Sequence, residues 1–458
     1  SLSLQGMEKL EGENRNDEET GVVGALSIES GTATSQKHEY GISSAHVVDN
    51  DSWKQVGLML VASFNCSYIL SFSNLMLLPL GWGWGAACLV AVAGFAFYAN
   101  WLLAGFHLID GRRFIRYRDI MGFVFGTKMY YLTWVLQFLT LLLGNMGFIL
   151  LGGRALKEIN EEFSNSPERL QVYILATGAL YFLFAYFVPT MSAMRNWLGA
   201  SALLASTYII VLLVILVKDG KDNKAKDYKI KGSEADKVFN AFGAIAATLV
   251  CNTTGLLPEI QSTLRKPVTN MRKALSLQYT VGLTVYYGVT VAGYWAYGSA
   301  VSEYLPKELS GPRWARILIN SAAFLQNIIS QHMFVAPVHE AMDTNFLRLD
   351  QSMSSRGNLI RLFFLRALLF GFNTLVTAAF PFMGDFVNLF GSFTLFPLTF
   401  VFPSMVFLKV KGKMATSVSK AWHWTIIVIS FLLAIATTVA AVRLIINNAK
   451  MYSLFADT

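Results

Sequence analysis

The sequence predicts an all-α integral membrane protein, and three of its features lead to this fold class. Of the 458 residues, 54% are hydrophobic and only 14% are charged, whereas a soluble protein carries about 25% charged residues. The charged residues are segregated, which leaves repeated apolar stretches of roughly 20 residues, the length of a membrane-spanning helix. The apolar runs are continuous, as in residues 209–217, and do not alternate with polar residues as in a transmembrane β-barrel.

Eleven membrane-spanning helices are expected between residues 55 and 446. Their predicted bounds are 55–80, 84–107, 129–153, 171–188, 195–217, 238–259, 274–297, 315–338, 359–380, 384–408 and 421–446. An odd number of spans places the two termini on opposite faces of the membrane. Lys and Arg are enriched in the loops on the N-terminal side once the mixed-charge loop 218–237 is set aside. This distribution favours a cytoplasmic N-terminus and an extracellular C-terminus.

The chain divides into three predicted regions. Residues 1–50 are acidic, rich in Ser and Gly and without periodicity, which predicts a disordered cytoplasmic tail. Residues 51–446 form the eleven-helix domain, and residues 447–458 form a short extracytoplasmic tail. The net charge of +8 is spread over the loops, so we do not expect nucleic acid as a partner.

The first and sixth predicted spans carry polar residues at their centres, each followed by Leu-Leu-Pro. They open two successive groups of five spans, and transporters built from inverted repeats break one helix of each half near the middle of the bilayer. The sequence therefore predicts that both helices are broken and that the residues at the breaks bind a substrate: Ser71, Ser73, Asn74, Asn252, Thr253 and Thr254. The alternative is a continuous helix that Pro kinks while Ser and Thr hydroxyls bond to the backbone.

Two further amides are candidates for the same site. Asn145 lies among small residues in the third span, and it either lines the substrate cavity or bridges two helices. Asn327 belongs to a polar stripe on the eighth span, Asn320, Phe324, Asn327 and Gln331, which we expect to face the protein core. Whether Asn327 contacts a substrate is left open by the pattern.

Three ionisable residues within or near spans are candidates for carrying a proton. Glu259 follows the break in the sixth span, where it either binds a proton or forms an ion pair with the loop between Arg265 and Arg272. Asp385 begins the tenth span, and His332 is either a titrating group or a structural histidine.

The sequence does not predict an enzyme, a metal site or a cofactor. His332 and His339 are seven residues apart with a proline between them, which is a poor spacing for a metal pair. The Gly384-Asp385 pair resembles half of an intramembrane aspartyl protease site, but a second aspartate within a span is not evident. The stretch GWGWG lacks the Lys and Ser/Thr of a phosphate-binding loop.

Short motifs in a fixed order identify a resemblance to a known family. They are PLGW at 79–82, IRYRD at 115–119, LPEIQ at 257–261, GYWAYGS at 293–299, SGP at 310–312, GD at 384–385, FPLTF at 396–400 and LFAD at 454–457. With these motifs the chain resembles the amino acid/auxin permease family, and within it the plant proline transporters. The similarity extends over essentially the whole chain after about residue 50.

The resemblance implies a LeuT-type fold, in which two inverted repeats of five helices are followed by one extra span. It also implies proton-coupled uptake of proline, glycine betaine and gamma-aminobutyrate at the plasma membrane. The expected partners are then a small zwitterionic solute, protons and the lipid bilayer, with the proton gradient as driving force. The alternatives are a different amino-acid-like substrate or a solute sensor that does not transport.

One departure from the family pattern lies in the first span. Related sequences usually carry glycines where Ser71 and Asn74 stand, and glycine allows a substrate to approach the backbone closely. We therefore expect these two side chains to narrow or reshape the site and to determine which solute is accepted.

Overall fold

The computed structural model describes residues 51–190, 193–253 and 255–451 of the chain. The predicted N-terminal tail, residue Thr254 and the last seven residues of the predicted C-terminal tail lie outside this part.

The described residues are mostly helical. The α-helices are α1 Trp53–Phe64, α2 Gly81–Ala104, α3 Tyr117–Phe125, α4 Thr127–Glu161, α5 Leu170–Phe187, α6 Arg195–Asp222, α7 Glu234–Asn252, α8 Leu257–Gln261, α9 Pro267–Leu277, α10 Leu283–Tyr297, α11 Arg313–Phe346, α12 Arg356–Ala379, α13 Met383–Phe390, α14 Phe402–Val410 and α15 Ser417–Met451. Four π-helical segments join some of them: Ser73–Leu77, Gln278–Gly282, Gly391–Leu395 and Pro397–Val401.

Short 3-10 turns and one small hairpin complete the described structure. The 3-10 turns are Ser67–Leu70, Gly105–His107, Gly298–Ala300 and Leu305–Glu308. Strand β1 (Leu108–Ile109) pairs antiparallel with β2 (Arg112–Arg113) between α2 and α3. Asp110 and Gly111 at its tip both have positive φ, 50° and 76°, which closes the tight turn.

Eight helices among the described residues are long and apolar enough to cross a membrane. They are Gly81–His107, Thr127–Glu161, Leu170–Phe187, Trp197–Asp222, Glu234–Gln261, Arg356–Ala379, Val387–Val410 and Ser417–Asn447. The predicted first span is divided into α1 and short turns, and the predicted seventh is divided by the π-helical segment between α9 and α10. The predicted eighth lies in α11, which is long but is not among the eight apolar helices. The all-α membrane class is confirmed, while the number eleven stays a prediction.

The long helices α4 and α11 pack against each other in the interior. Glycine allows the close approach of α4 to α5, because a Cβ on Gly152 would lie 2.6 Å from the Thr177 methyl group. Helix α12 is joined to α11 by a fully buried ion pair, in which Arg366 donates two hydrogen bonds to Asp343 at 2.9 and 2.7 Å. These contacts fix the helices that surround the two breaks.

Candidate functional site

The first membrane helix is interrupted at Asn65. Helix α1 ends at Phe64, and Cys66 continues in an extended conformation with φ −76° and ψ 174°. The Asn65 backbone N–H makes the last helical bond to the Val61 carbonyl at 3.1 Å, and its side-chain Nδ2 caps the same carbonyl at 2.9 Å. The break is therefore real, but it begins at Asn65 and not at Ser71 as expected.

The sixth span is broken where the sequence predicts it. Helix α7 ends at Asn252, and Thr253 is extended with φ −155° and ψ 152°. Gly255 has a φ of +66°, a left-handed conformation that glycine adopts without strain. Helix α8 then begins at Leu257, with Pro258 in its first turn, where the missing N–H costs no hydrogen bond.

Side chains from neighbouring elements satisfy backbone carbonyls that the breaks release. The Tyr208 hydroxyl donates to the Asn65 carbonyl at 3.0 Å, and the Tyr279 hydroxyl donates to the Asn252 carbonyl. Gln137 on α4 donates from Nε2 to the Gly255 carbonyl at 2.9 Å. Because a buried carbonyl without a partner is costly, these bonds stabilise both irregular segments.

A cavity of about 50 Å³, here called the central cavity, lies between the two breaks. It is small and enclosed mainly by apolar and aromatic side chains. The lining residues are Ser63, Phe64, Cys66, Tyr68, Phe72, Thr140, Leu141, Gly144, Phe148, Val250, Cys251, Thr253, Phe334, Phe390 and Leu395. Asp, Glu, Lys and Arg do not occur among these described lining residues, which suits a compact solute without net charge.

The aromatic rings of the central cavity form a connected group. The Tyr68 and Phe148 rings meet edge to face with centroids 4.7 Å apart, and Phe148 lies 5.1 Å from Phe334. The Tyr68 hydroxyl donates to the Gly144 carbonyl at 2.6 Å, which fixes the ring against α4. The cavity wall is thus held in place by packing and by one hydrogen bond.

The three predicted binding residues of the first span lie away from the lining of the central cavity. Ser73 donates to the Thr290 carbonyl and Asn74 to the Val301 carbonyl, both at 2.9 Å. Ser71 is fully buried, and its hydroxyl has no hydrogen-bond partner within the described part of the chain. Ser71 and Asn74 do not occur among the described lining residues of the central cavity, so their effect on the site stays a prediction.

Of the other predicted binding residues, Thr253 lines the central cavity and Thr254 lies outside the described residues. The Asn252 amide donates to the Thr248 carbonyl of its own helix at 2.8 Å. Asn327 donates to the Phe148 carbonyl at 2.8 Å and accepts from Ser67 at 2.5 Å, which connects α11 to the first break.

Asn145 forms a bridge between helices. Its Nδ2 donates to Gln331 on α11 at 3.1 Å, and its Oδ1 accepts from Asn373 on α12 at 2.7 Å. All three side chains are fully buried. The structure therefore shows the bridging contacts that the sequence left as one of two interpretations.

A second, larger cavity of about 450 Å³, here called the α3-side cavity, lies between α3, α4, α8 and α11. Its lining residues are Arg118, Trp134, Gln137, Phe138, Leu141, Leu256, Glu259, Pro337, Val338, Glu340, Ala341, Met342, Asn345 and Phe346. Leu141 lines this cavity and the central cavity alike, so the two spaces are adjacent at this residue.

The predicted proton carrier Glu259 lines the α3-side cavity. Its Oε1 accepts from the Tyr117 backbone N–H at 2.9 Å and from Gln137 Nε2 at 3.1 Å. Its Oε2 is buried and has no hydrogen-bond partner among the described residues. The carboxylate is thus held by α3 and α4, and among the described residues it forms no ion pair with Arg265 or Arg272, since its bonded oxygen is taken by Tyr117 and Gln137.

The remaining proton candidates lie elsewhere. His332 is fully buried on α11, edge-on to Phe184 with ring centroids 5.7 Å apart and 5.3 Å from His339. Asp385 lies on α13, and its side chain is outside the described structure. Within the described residues, no group of three or more His, Cys, Asp or Glu side chains is arranged to hold a metal ion.

Most residues that line the central cavity carry no signal in the sequence. In the sequence, Phe148, Phe334 and Phe390 cannot be distinguished from aromatic residues that face lipid, and Cys66 lies in an apolar stretch. Asn65, directly before Cys66, was the available signal for the first break, since an amide in a membrane helix must find a partner.

Comparison with known proteins identifies similarity to membrane transporters of amino acids and related solutes. A profile described as "Transmembrane amino acid transporter protein" matches residues 49–443. GABA transporter 1 of Arabidopsis thaliana is 30% identical over 423 residues, which cover 89% of this chain and 93% of that protein. Lysine histidine transporter-like 6 of the same plant is 27% identical over 391 residues, covering 82% and 87%.

A solved structure shares the fold. A manganese transporter of Eremococcus coleocola superposes with a TM-score of 0.50 at 12% identity, covering 86% of this chain and 88% of that one. At this identity the likeness bears on the fold alone. It confirms the LeuT-type architecture that the resemblance implied.

Proposed function

This chain belongs to the amino acid/auxin permease family of transmembrane amino acid transporters, and from that premise we propose that it imports proline and related compatible solutes together with protons. The related solutes are glycine betaine and gamma-aminobutyrate. The relative named GABA transporter 1 supports this substrate class, since its similarity covers nearly the full length of both chains. The proposed location is the plasma membrane, with a cytoplasmic N-terminus and an extracellular C-terminus.

The central cavity is the observation that carries this proposal. It lies between the breaks of the first and sixth spans, where transporters of this fold bind substrate. Its small volume and its lack of charged side chains among the described lining residues favour a compact zwitterion over a cationic amino acid. A solute with a charged side chain would be left there without a partner, at a cost of several kcal/mol.

The lining supplies a partner for each end of a zwitterion. The aromatic faces of Tyr68, Phe148 and Phe334 attract a substituted ammonium, such as those of proline and glycine betaine, by cation–π interaction. The Thr253 hydroxyl and backbone N–H groups at the breaks would donate to the carboxylate.

The proton is proposed to bind at Glu259. Its Oε2 has no hydrogen-bond partner in the described structure, and the carboxylate lies just beyond the break, on the helix that would move with it. Protonation would remove the charge before this segment moves into a less polar environment. The motion of solute and of proton would then be coupled through α8.

Uptake of labelled proline in a transport-deficient cell, at two external pH values, tests this proposal. We expect faster uptake at acidic external pH, abolition by a protonophore and no effect of replacing sodium. Unlabelled glycine betaine and gamma-aminobutyrate should compete, whereas lysine and histidine should not. Absence of uptake of all three solutes by protein present at the cell surface would refute the proposal.

A further inference from the structure

The α3-side cavity contains a buried arginine whose ion-pair partner is 4.0 Å away. Arg118 is only 9% exposed, and its Nε is buried without a hydrogen-bond partner within the part of the chain that the structure describes. The carboxylate of Glu340 is 4.0 Å away, but Arg116 already holds it through two bonds of 3.2 and 2.5 Å. The Nε–H of this buried cation can therefore donate to a further acceptor.

The same cavity also contains a buried carboxylate oxygen without a hydrogen-bond partner in the described structure. Glu259 directs Oε1 to Tyr117 and Gln137, while Oε2 is buried without a hydrogen-bond partner among the described residues. Glu259 and Arg118 both line the cavity, whose volume of about 450 Å³ is much larger than that of the central cavity. One space therefore offers a donor and an acceptor of opposite charge.

We propose that the α3-side cavity is a second binding site for a small amino acid zwitterion. The solute carboxylate accepts from Arg118, and the solute ammonium donates to Glu259 Oε2. A guanidinium whose Nε–H has no partner in the described structure can donate to a carboxylate, and such a charge-assisted bond is stronger than a neutral one. The inference rests on the proposed function, because it assumes that a zwitterion reaches this space.

The position of the site gives it a role in transport. Leu141 is common to the linings of both cavities, so the α3-side cavity is adjacent to the central cavity and is the proposed next position of a solute that leaves it. Binding at Arg118 and Glu259 would hold the solute after it leaves the helix breaks and before it reaches solvent. The solute ammonium and the proposed proton would then bind to Glu259 Oε2 in turn, because a protonated Oε2 no longer accepts from the ammonium.

Equilibrium binding to the purified full-length chain tests the second site, with labelled proline and labelled gamma-aminobutyrate as probes. We expect two molecules bound per chain. Arg118→Gln should lower the affinity of one site at least about tenfold, through the loss of a charged hydrogen bond, and leave the other unchanged. Thr253→Val should weaken the other site, in the central cavity.

Matched variants control for charge and folding. Arg112→Gln removes an arginine from the neighbouring hairpin, where the side chain is exposed and lies over the Phe123 ring, so both sites should persist. Arg118→Lys keeps the cation and Glu259→Gln keeps an acceptor oxygen. If Arg118→Gln does not fold, these two variants should still weaken the same site without affecting the central one.

The outcomes separate the second site from the proposed function. A chain that takes up proline but binds one molecule, with affinity unchanged by Arg118→Gln and Arg118→Lys, would overturn the second site and leave the transport function intact. Water would then be the partner of Arg118 and Glu259. A chain that neither takes up nor binds any of the solutes would refute the proposed function and the second site together.

Discussion

Gln137 links α4 to the broken sixth span, and its replacement should shift the conformational equilibrium of the protein. Its Nε2 donates to the Gly255 carbonyl at 2.9 Å and to Glu259 at 3.1 Å. Gln137→Leu keeps the approximate volume and removes both bonds. In conformations that separate α4 from α8 the bonds are already broken, so the variant loses stability only in the conformation described here.

The size of this shift in the conformational equilibrium follows from the two acceptors that lose their bond to Gln137. The Gly255 carbonyl loses its partner in a buried position, which costs about 1–3 kcal/mol. Glu259 faces the α3-side cavity, where water can replace the lost bond at little cost. The population of the described conformation should therefore fall by roughly 5- to 150-fold relative to the others.

Labelling of a cysteine in the α3-side cavity measures this shift. Met342→Cys places a reactive group on the cavity lining, in a background without the three native cysteines. In that background Gln137→Leu should slow labelling by a polar thiol reagent, because fewer molecules adopt the described conformation, in which residue 342 lines the cavity. Thr133→Val is the control, since the Thr133 hydroxyl donates within α4 to the Met129 carbonyl at 2.7 Å. Equal labelling rates for Gln137→Leu and the parent would contradict the reasoning.

Two further predictions concern packing and selectivity. In Gly178→Ala the new Cβ would lie 2.0 Å from Thr374 Oγ1, so we expect a loss of about 1–3 kcal/mol, seen as lower thermal stability in detergent. Gly371→Ala has open space around its Cβ and should behave as wild type; equal stability of the two variants would contradict this packing. Asn74→Gly removes the hydrogen bond to the Val301 carbonyl, so it should lower surface expression without changing the inhibition profile of proline uptake. A broader substrate range at matched expression would show that Asn74 limits the site after all.

The sequence was sufficient for the fold class and for the sixth break. The polar run at Asn252–Gly255, followed by Pro258, combines residues that end one helix and begin another, and these are local properties. The resemblance to a family supplied the LeuT-type architecture, which composition and periodicity alone do not determine.

The polar cluster at Ser71–Asn74 predicts the first break several residues after the position where α1 ends. Ser73 and Asn74 are polar because they donate to carbonyls on the seventh span and on the loop after it, contacts that only the tertiary structure reveals. The single amide of Asn65 ends the helix instead. The aromatic lining could not be predicted either, because a Phe in a membrane helix has the same pattern whether it faces lipid or a cavity.

The central claim is that a zwitterionic solute binds between the two helix breaks, and protection of Cys66 from a small thiol reagent tests it most directly. Cys66 lines the central cavity at the first break, and a variant with Cys88→Ser and Cys251→Ala leaves it as the one reactive cysteine of the chain. Saturating proline or gamma-aminobutyrate should slow the labelling of Cys66 severalfold, while lysine should leave the rate unchanged. If the variant transports proline and Cys66 is labelled equally fast with and without it, the solute does not bind at the breaks.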